Sequence, residues 1–309
     1  MANPILTTPT YSGSFSGKYI SAALLSASTL DAGLITIMPN VKYKSVIQTG
    51  SYGAGLIADS TCDYTPAGTL TLAERIIEPL QYQVNTTFCK KDLHASWEAE
   101  QMGFSAFDNL APSFEEYVIG YTAAKVADQI EKNIWSGQVA NAGEFDGFYY
   151  LAVADAGVVD VTGTTVNAAN VVDEMGKLVD AIPTAVYGKE DLLLYVAPNI
   201  ARAYVRALGG FGANGLGANG IEGQGTTWYT NGALSFDGIS VVVAQGMPAN
   251  SMIAAQKSNL FFGTGLLNDT NEVKVIDMAD LDGSQNVRVV MRFTAAVAIG
   301  ISSDVVLYA

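Results

Sequence analysis

Few residues in this chain are typed and spaced for chemistry. Its one histidine, His94, lies near Trp97, Glu98 and Glu100. A His-dependent nucleophilic triad also needs a presented serine or cysteine, and the G-x-S-x-G turn that presents one does not occur in the sequence. One histidine cannot build a His-based zinc cage either, so His94 reads as a structural side chain ahead of a long helix. Gly53-Ala54-Gly55 with Ala58 satisfies G-x-G-x-x-A after a strand-like stretch. A dinucleotide turn must run into a helix whose N-terminus holds the pyrophosphate. Here DSTCDYTPAG follows instead, with Pro66 and Gly68. Gly215-Leu216-Gly217 with Gly220 repeats the pattern, but after a helix and with none to follow. Ser12 to Tyr19 (SGSFSGKY) looks like a phosphate loop without its first glycine, and Tyr19 stands where the magnesium-binding hydroxyl belongs. Asp277, Asp280, Asp282 and Gly283 suggest part of a calcium loop, yet its first and twelfth positions would be Met278 and Val289. They read as a solvated turn between strands, as do Asp269, Asn271 and Glu272. Glu115 and Glu116 sit where a helix N-terminus favours negative charge. These patterns predict no enzyme, no cofactor and no bound metal.

The elements that would have positioned a site are more informative. Residues 1–40 read as an arm, because Pro4, Pro9, Gly13, Gly17 and many Ser and Thr leave little periodicity. Within it Tyr19–Leu30 predicts a small helix ending near Gly33. Such a segment gains more by lying across another surface than by folding on itself. VKYKSVIQT (41–49) alternates as a strand does, 50–69 is turn-like, and 70–89 reads as one or two strands interrupted at Pro79. Together they predict a two-stranded arm, which is marginal in water unless it lies on something. Ser113 and Glu116 then make an S-x-x-E capping pattern. Phe114, Val118, Tyr121, Val126, Ile130 and Ile134 follow at helical spacing, with Gly137 as the stop.

Residues 144–166 read as strands. A helix is predicted from Asn167 to Ile182, stopped by Pro183, then a buried strand over Leu192–Ala197 and a helix opened by Pro198 and running through Leu208. Residues 209–225 (GGFGANGLGANGIEGQG) form a glycine-rich loop with a GANG repeat. Further strands are predicted over Phe236–Ala244, Met252–Ala255, Leu260–Phe262, Glu272–Asp277 and Val287–Val306. The elements do not alternate as a βαβ wind would, so the fold class is α+β.

Composition excludes several roles. The chain has 309 residues, 49% of them hydrophobic and 15% charged, enough to bury a sizeable core. Thirty Asp and Glu against 16 Lys and Arg give a formal net charge of -14. Tight nucleic-acid binding needs many phosphate-neutralising cations, so any nucleic acid would be contained rather than gripped, touched by scattered residues such as Lys18, Lys125 or Lys132. Two cysteines, Cys62 and Cys89, make no disulfide framework and fit a reducing compartment, although one bridge stays open. No apolar run is long enough for a membrane helix, and MANPILTTPTYSG has no secretory-signal pattern.

The order of parts resembles the major capsid proteins of tailed bacteriophages, the Hong Kong 97 type fold. The resemblance rests on VKYKSVIQT through TFCKKD as an extended loop and on SFEEYVIGYTAAKVADQIEKNIWSG as a spine helix. The closing stretches NLFFGTGLLNDTNEVKVID and NVRVVMRFTAAVAIGISSDVV resemble that family's last peripheral strands. It implies an N-terminal arm (1–40), an extended β-hairpin loop (41–92), a peripheral domain (93–166, with a spine helix over 113–136, and 258–309) and an axial domain (167–257). It also implies hexamers and pentamers that close an icosahedral shell around double-stranded DNA in a virion assembled in the host cytoplasm. Scaffolding, portal and decoration proteins would be partners, and no membrane is involved. Gly209, Phe211, Gly215, Leu216, Gly217 and Ile221 become candidates for contacts at the capsomer centre, and Tyr52, Leu56, Tyr64 and Arg75 for contacts of the extended loop. Some relatives begin with a long scaffolding segment that is cleaved off; residues 1–40 show nothing comparable, so the resemblance implies either that it has been removed or that a separate scaffold serves. No lysine lies between Lys44 and Lys90, so lysine cross-linking from the loop tip is not expected. Two other readings remain at this stage: an encapsulin shell of the same fold around cargo enzymes, and a monomeric ligand-binding protein or enzyme.

Overall fold

In the computed structural model, residues 28–53, 57, 62, 68–89, 112–208, 234–265 and 273–309 are described. In chain order the elements are α1 (Ser28–Asp31), β1 (Thr36–Pro39), β2 (Ser45–Tyr52), β3 (Leu70–Ile77), β4 (Leu80–Cys89), α2 (Pro112–Ser136), α3 (Phe148–Ala154), β5 (Val159–Val161), α4 (Val171–Asp180), β6 (Leu192–Val196), α5 (Pro198–Leu208), β7 (Leu234–Phe236), β8 (Ile239–Val243), β9 (Met252–Gln256), β10 (Leu260–Thr264), β11 (Val273–Asp277), α6 (Ala279–Asp282), β12 (Asn286–Ile299) and β13 (Val306–Tyr308). The class is α+β, as expected.

Three sheets form. A five-stranded sheet runs β1-β10-β12-β11, with β4 also pairing β12. A six-stranded sheet runs β5-β13-β9-β6-β8-β7, and β2 pairs only with β3. The expected interruption at Pro79 divides two destinies: Leu70–Ile77 joins the hairpin, whereas Leu80–Cys89 pairs with Ala295–Asn286. Proline cannot donate to a ladder, so the strand can change partners there. The six-stranded sheet takes β6 to β9 from the middle of the chain and adds β5 and β13 from either side of it.

The spine helix α2 is a rod roughly 37 Å long at 1.5 Å per residue. Its second half buries Val126, Ile130, Ile134 and Trp135 between the two large sheets. The Trp135 ring lies 5.0 Å from Tyr195 of β6 and 5.5 Å from Phe148 of α3. The helix stops where expected. A Cβ on Gly137 would meet the Phe145 carbonyl at 2.3 Å, and one on Gly147 would meet the Asn133 carbonyl at 2.6 Å. Two backbones can cross the last turn only because neither residue has a side chain.

Three expectations are corrected. Phe148–Ala154 is a helix rather than a strand. Its aromatic and β-branched composition suits strands, but Phe148 and Ala152, one helical turn apart, are both fully buried, and packing overrides propensity. The stretch expected as one strand over Phe236–Ala244 is a hairpin, turned at Asp237 and Gly238, both with positive φ (51° and 81°). Asp-Gly between apolar runs is a two-residue turn signal. The last strand expected over Val287–Val306 ends at Ile299. Gly300 packs against Asn259 and Phe261 there, a short 3-10 turn follows at Ser302–Asp304, and β13 then enters the other sheet.

Candidate assembly surface

The β2–β3 hairpin stands apart in its burial. Antiparallel register pairs Val46 with Ile76, Gln48 with Glu74, Gly50 with Leu72 and Tyr52 with Leu70. Cross-strand partners share a face, so Val46, Ile76, Leu72 and Leu70 line one side of the ribbon. All four are exposed, at 47%, 58%, 74% and 50%. Leu72 leans over Gly50, where a Cβ would meet its methyl at 3.4 Å. The opposite face pairs Ser45 with Ile77, Ile47 with Arg75, Thr49 with Ala73 and Ser51 with Thr71. It is polar toward the tip and apolar at the base. The Gln48–Glu74 pair divides this face into an apolar patch near the base and another near the tip, and large apolar side chains grouped on an exposed face mark a surface suited to contact.

The base is docked on the body. Ile77, 1% exposed, packs with Val41, Ala296 and Ala298, against Met38, Ile47 and Phe261. It sits directly over Gly263, where a Cβ would come 2.8 Å from its terminal methyl. Two residues further out on the same face, the Arg75 guanidinium donates to Asp155 Oδ2 at 2.6 Å and also reaches the Ser302 hydroxyl. Ser302 Oγ itself donates to Asp155 Oδ2 at 2.6 Å, and Asp155 Oδ1 accepts the Gly157 N–H at 2.9 Å. The Ser302 hydroxyl, then the Gly157 amide, then Arg75 hold the Asp155 carboxyl below its usual range. Lys44 and Glu78 close the foot of the hairpin with a 2.9 Å ion pair between exposed side chains.

Elsewhere the polar groups are used in holding the fold. The buried Glu131 carboxylate on α2 accepts the Thr29 N–H at 3.0 Å and the Thr29 hydroxyl, tying α1 to the spine. Glu174 accepts from the Tyr308 hydroxyl at 2.7 Å, from Thr164 at 2.9 Å and from Lys177. Those partners, Tyr308 foremost, hold its carboxyl below the usual range. Asp277 and Asp282 accept backbone N–H groups of Ala279 and Ser284 within the β11–β12 turn. Among the described residues no His, Cys, Asp and Glu cluster could hold a metal ion, and no helix is long and apolar enough to cross a membrane. A groove of about 390 Å³ between α2 and the five-stranded sheet is walled by Tyr82, Val84, Val126, Ile130, Phe145 and Phe293. Burial there pushes the Tyr82 phenol up to about 12. The described cysteines are free, Cys62 exposed and Cys89 half-buried.

Of the expected contact residues, Arg75 lies in the hairpin and points at the body, and Tyr52 lies at its outer end opposite Leu70. Leu56, Tyr64 and the glycine-rich loop with Gly209, Phe211, Gly215, Leu216, Gly217 and Ile221 fall outside the described residues. Sequence reasoning missed Leu70, Leu72 and Ile76. Their spacing of two and four residues was the available signal for one strand face. It also missed Asp155 and Ser302, for which no local signal exists.

No family model matches the sequence, and no curated protein matches it. Solved structures do. The capsid of a native GTA particle superposes with a TM-score of 0.62 at 16% identity, over 92% of this chain and 90% of that one. The chain has the tailed-bacteriophage capsid fold. The same capsid fold is seen in the capsid of cyanophage A-1(L), with a TM-score of 0.57 at 14% identity over 92% of both chains. A virus-like particle from Pyrococcus furiosus matches with a TM-score of 0.51 at 6% identity, over 94% of this chain and 96% of that one.

Proposed function

We propose that this chain is a major capsid protein: a structural, non-enzymatic protein whose copies form the hexamers and pentamers of an icosahedral bacteriophage shell around double-stranded DNA. The observation that carries the reading is the β2–β3 hairpin, docked at its base and exposing Val46, Leu70, Leu72 and Ile76 along one face. A two-stranded ribbon gains little from its own folding, and burying that face on a neighbouring copy supplies what the chain alone does not. The capsid fold over more than nine-tenths of the chain supports the same reading. In this proposal residues 1–40 are the N-terminal arm and 41–92 the extended loop. Residues 93–166 and 258–309 build the peripheral domain. Residues 167–257 build the axial domain, whose sheet β5 and β13 complete. The loop 209–225 meets its copies at the capsomer centre. Scaffolding, portal and decoration proteins are its partners, and the shell assembles in the host cytoplasm.

Electron microscopy of the purified full-length protein tests this directly. Closed shells of uniform diameter are expected, and a protein that stays a 32.5 kDa monomer at every concentration overturns it. Shells expressed in the host and filled with enzyme rather than nucleic acid would assign the chain to the encapsulin class instead.

A further inference from the structure

The hairpin meets the body at two points of different chemistry. Ile77 is an apolar pin, seated in a socket of Val41, Ala296 and Ala298 with Gly263 beneath it. Arg75 is a charged pin, seated against Asp155 and Ser302. One pin fixes where a ribbon starts, and only a second fixes where it points. At about 3.3 Å per residue the two pins lie about 7 Å apart, and the far end of β3 lies about 23 Å from Ile77. A displacement of about 3 Å at Arg75 therefore moves that far end by about 10 Å on the same spacing.

The polar socket is built without the hairpin. Asp155 ends α3, and its Oδ1 is oriented by the Gly157 N–H at 2.9 Å. The buried Ser302 hydroxyl, from the turn before β13, orients Oδ2 at 2.6 Å. Gly157 lets these parts approach, since a Cβ there would stand 3.1 Å from Ser302 Cβ and 3.2 Å from Asp155 Oδ1. The socket thus presents a fixed carboxylate to an arginine that arrives from a separate sheet. Arg75 remains partly exposed, at 44% of its side chain, so water can compete for it and the pin can be withdrawn. Ile77 cannot be withdrawn without opening its socket. The Lys44–Glu78 pair lies within the foot of the hairpin and does not bridge to the body.

We propose that Asp155 is a positioning residue that sets the direction of the assembly hairpin through Arg75, with Ile77 as the pivot about which the hairpin swings when that contact is released. Its bearing on assembly rests on the function proposed above, but the attachment itself does not.

The test uses the full chain at concentrations too low for assembly, in a Cys62→Ser, Cys89→Ser background. Spin labels are placed at Thr71→Cys on the hairpin and Lys189→Cys on the body, and the distance distribution is read by pulsed electron resonance. The parent is expected to give one narrow distribution. Arg75→Gln and Asp155→Asn should each broaden it toward the swing of about 10 Å that the strand spacing gives at the far end of β3. The double variant should broaden it no further than Arg75→Gln alone, because that change already removes both contacts of the arginine, to Asp155 and to Ser302. Arg75→Lys, which keeps the cation, should leave the distribution narrow in the parent and broad beside Asp155→Asn, which a merely structural role for Asp155 would not produce. Arg75→Gln alters a partly exposed hairpin residue, so it remains readable if Asp155→Asn fails to fold. A distribution left narrow by Arg75→Gln overturns the proposal. A broadened distribution with normal shells upholds the latch and removes the hairpin from assembly. A narrow one with failed shells removes the latch and upholds the hairpin.

Discussion

Strands β3 and β6 use the same kind of residue for opposite ends. Leu192–Val196 (LLLYV) lies inside the six-stranded sheet, between β9 and β8, and Leu194, Tyr195 and Val196 are fully buried. Leu70–Ile77 (LTLAERII) lies in a two-stranded sheet, and of its eight residues only Ile77 is buried. All five residues of β6 are apolar, against five of the eight in β3. Pattern separates them further: β6 is apolar without a break, as a strand covered on both faces must be, whereas β3 is interrupted by Thr71 and by Glu74–Arg75. In β6 the chain completes its own burial. In β3 only the foot of the strand is buried within the chain, and on the function proposed above the rest is left for a second molecule.

The sharpest way to break this contrast is to remove the deferred part. Deleting residues 50–68 should abolish closed shells while the remaining chain keeps a cooperative melt. Sedimentation and circular dichroism check it, and normal shells from the deletion would sink the assignment of the hairpin. The converse change attacks the completed part. Leu194→Ala should cost about 2–5 kcal/mol of stability in a urea titration, the range for emptying a fully buried leucine site. It should lower shell yield only through the loss of folded chain.

A smaller effect belongs to the seam that closes the six-stranded sheet. Tyr308→Phe removes the hydroxyl that donates to Glu174 and accepts the Thr164 N–H at 2.9 Å. About 1.5–3 kcal/mol is expected for a hydrogen bond to a charged group. Glu174 is depressed in the folded protein, so its contribution is fully present above the ordinary value of 4.5 and is lost as pH falls through the lower folded value. The parent should therefore lose stability below pH 4.5, and Tyr308→Phe, lacking the largest cause of the depression, should lose less over that window. Urea midpoints from about pH 6 down to about pH 3 check the sign. The smallest effect on folding is the most telling for assembly. Leu72→Ser changes a side chain that is 74% exposed. It should move subunit stability by no more than about 0.5 kcal/mol yet raise the protein concentration at which shells first appear in light scattering.

Much of this was legible in the residues. The spine helix, its stop at Gly137, the strand at Leu192 and the helix opened by Pro198 follow from periodicity and punctuation, and each lies within a residue or two of its expected place. The hairpin was legible as two strands around a turn-like stretch. Its partner choice was less so, because nothing local in Leu80–Cys89 says that it pairs with Asn286–Ala295, two hundred residues away. Phe148–Ala154 was misread because composition spoke for strand and only packing against Trp135 spoke for helix. The socket at Asp155 was invisible for the same reason. Arg75, Asp155 and Ser302 are brought together by three elements, and sequence spacing carries no trace of it.

Strand β13 has a temporal consequence. It lies between β5 and β9 in the six-stranded sheet, with Val306, Leu307 and Tyr308 all buried. A ribosome delivers β5, β6, β8 and β9 before it reaches residue 306, so the growing chain carries an open slot between β5 and β9 until β13 is made. A nascent chain that stalls earlier exposes the edges of β5 and β9 instead of a closed sheet. Ser302, part of the hairpin's polar socket, is made in the same closing moments. The strand that carries Arg75 is translated early, but its socket is complete only once residue 302 has been made.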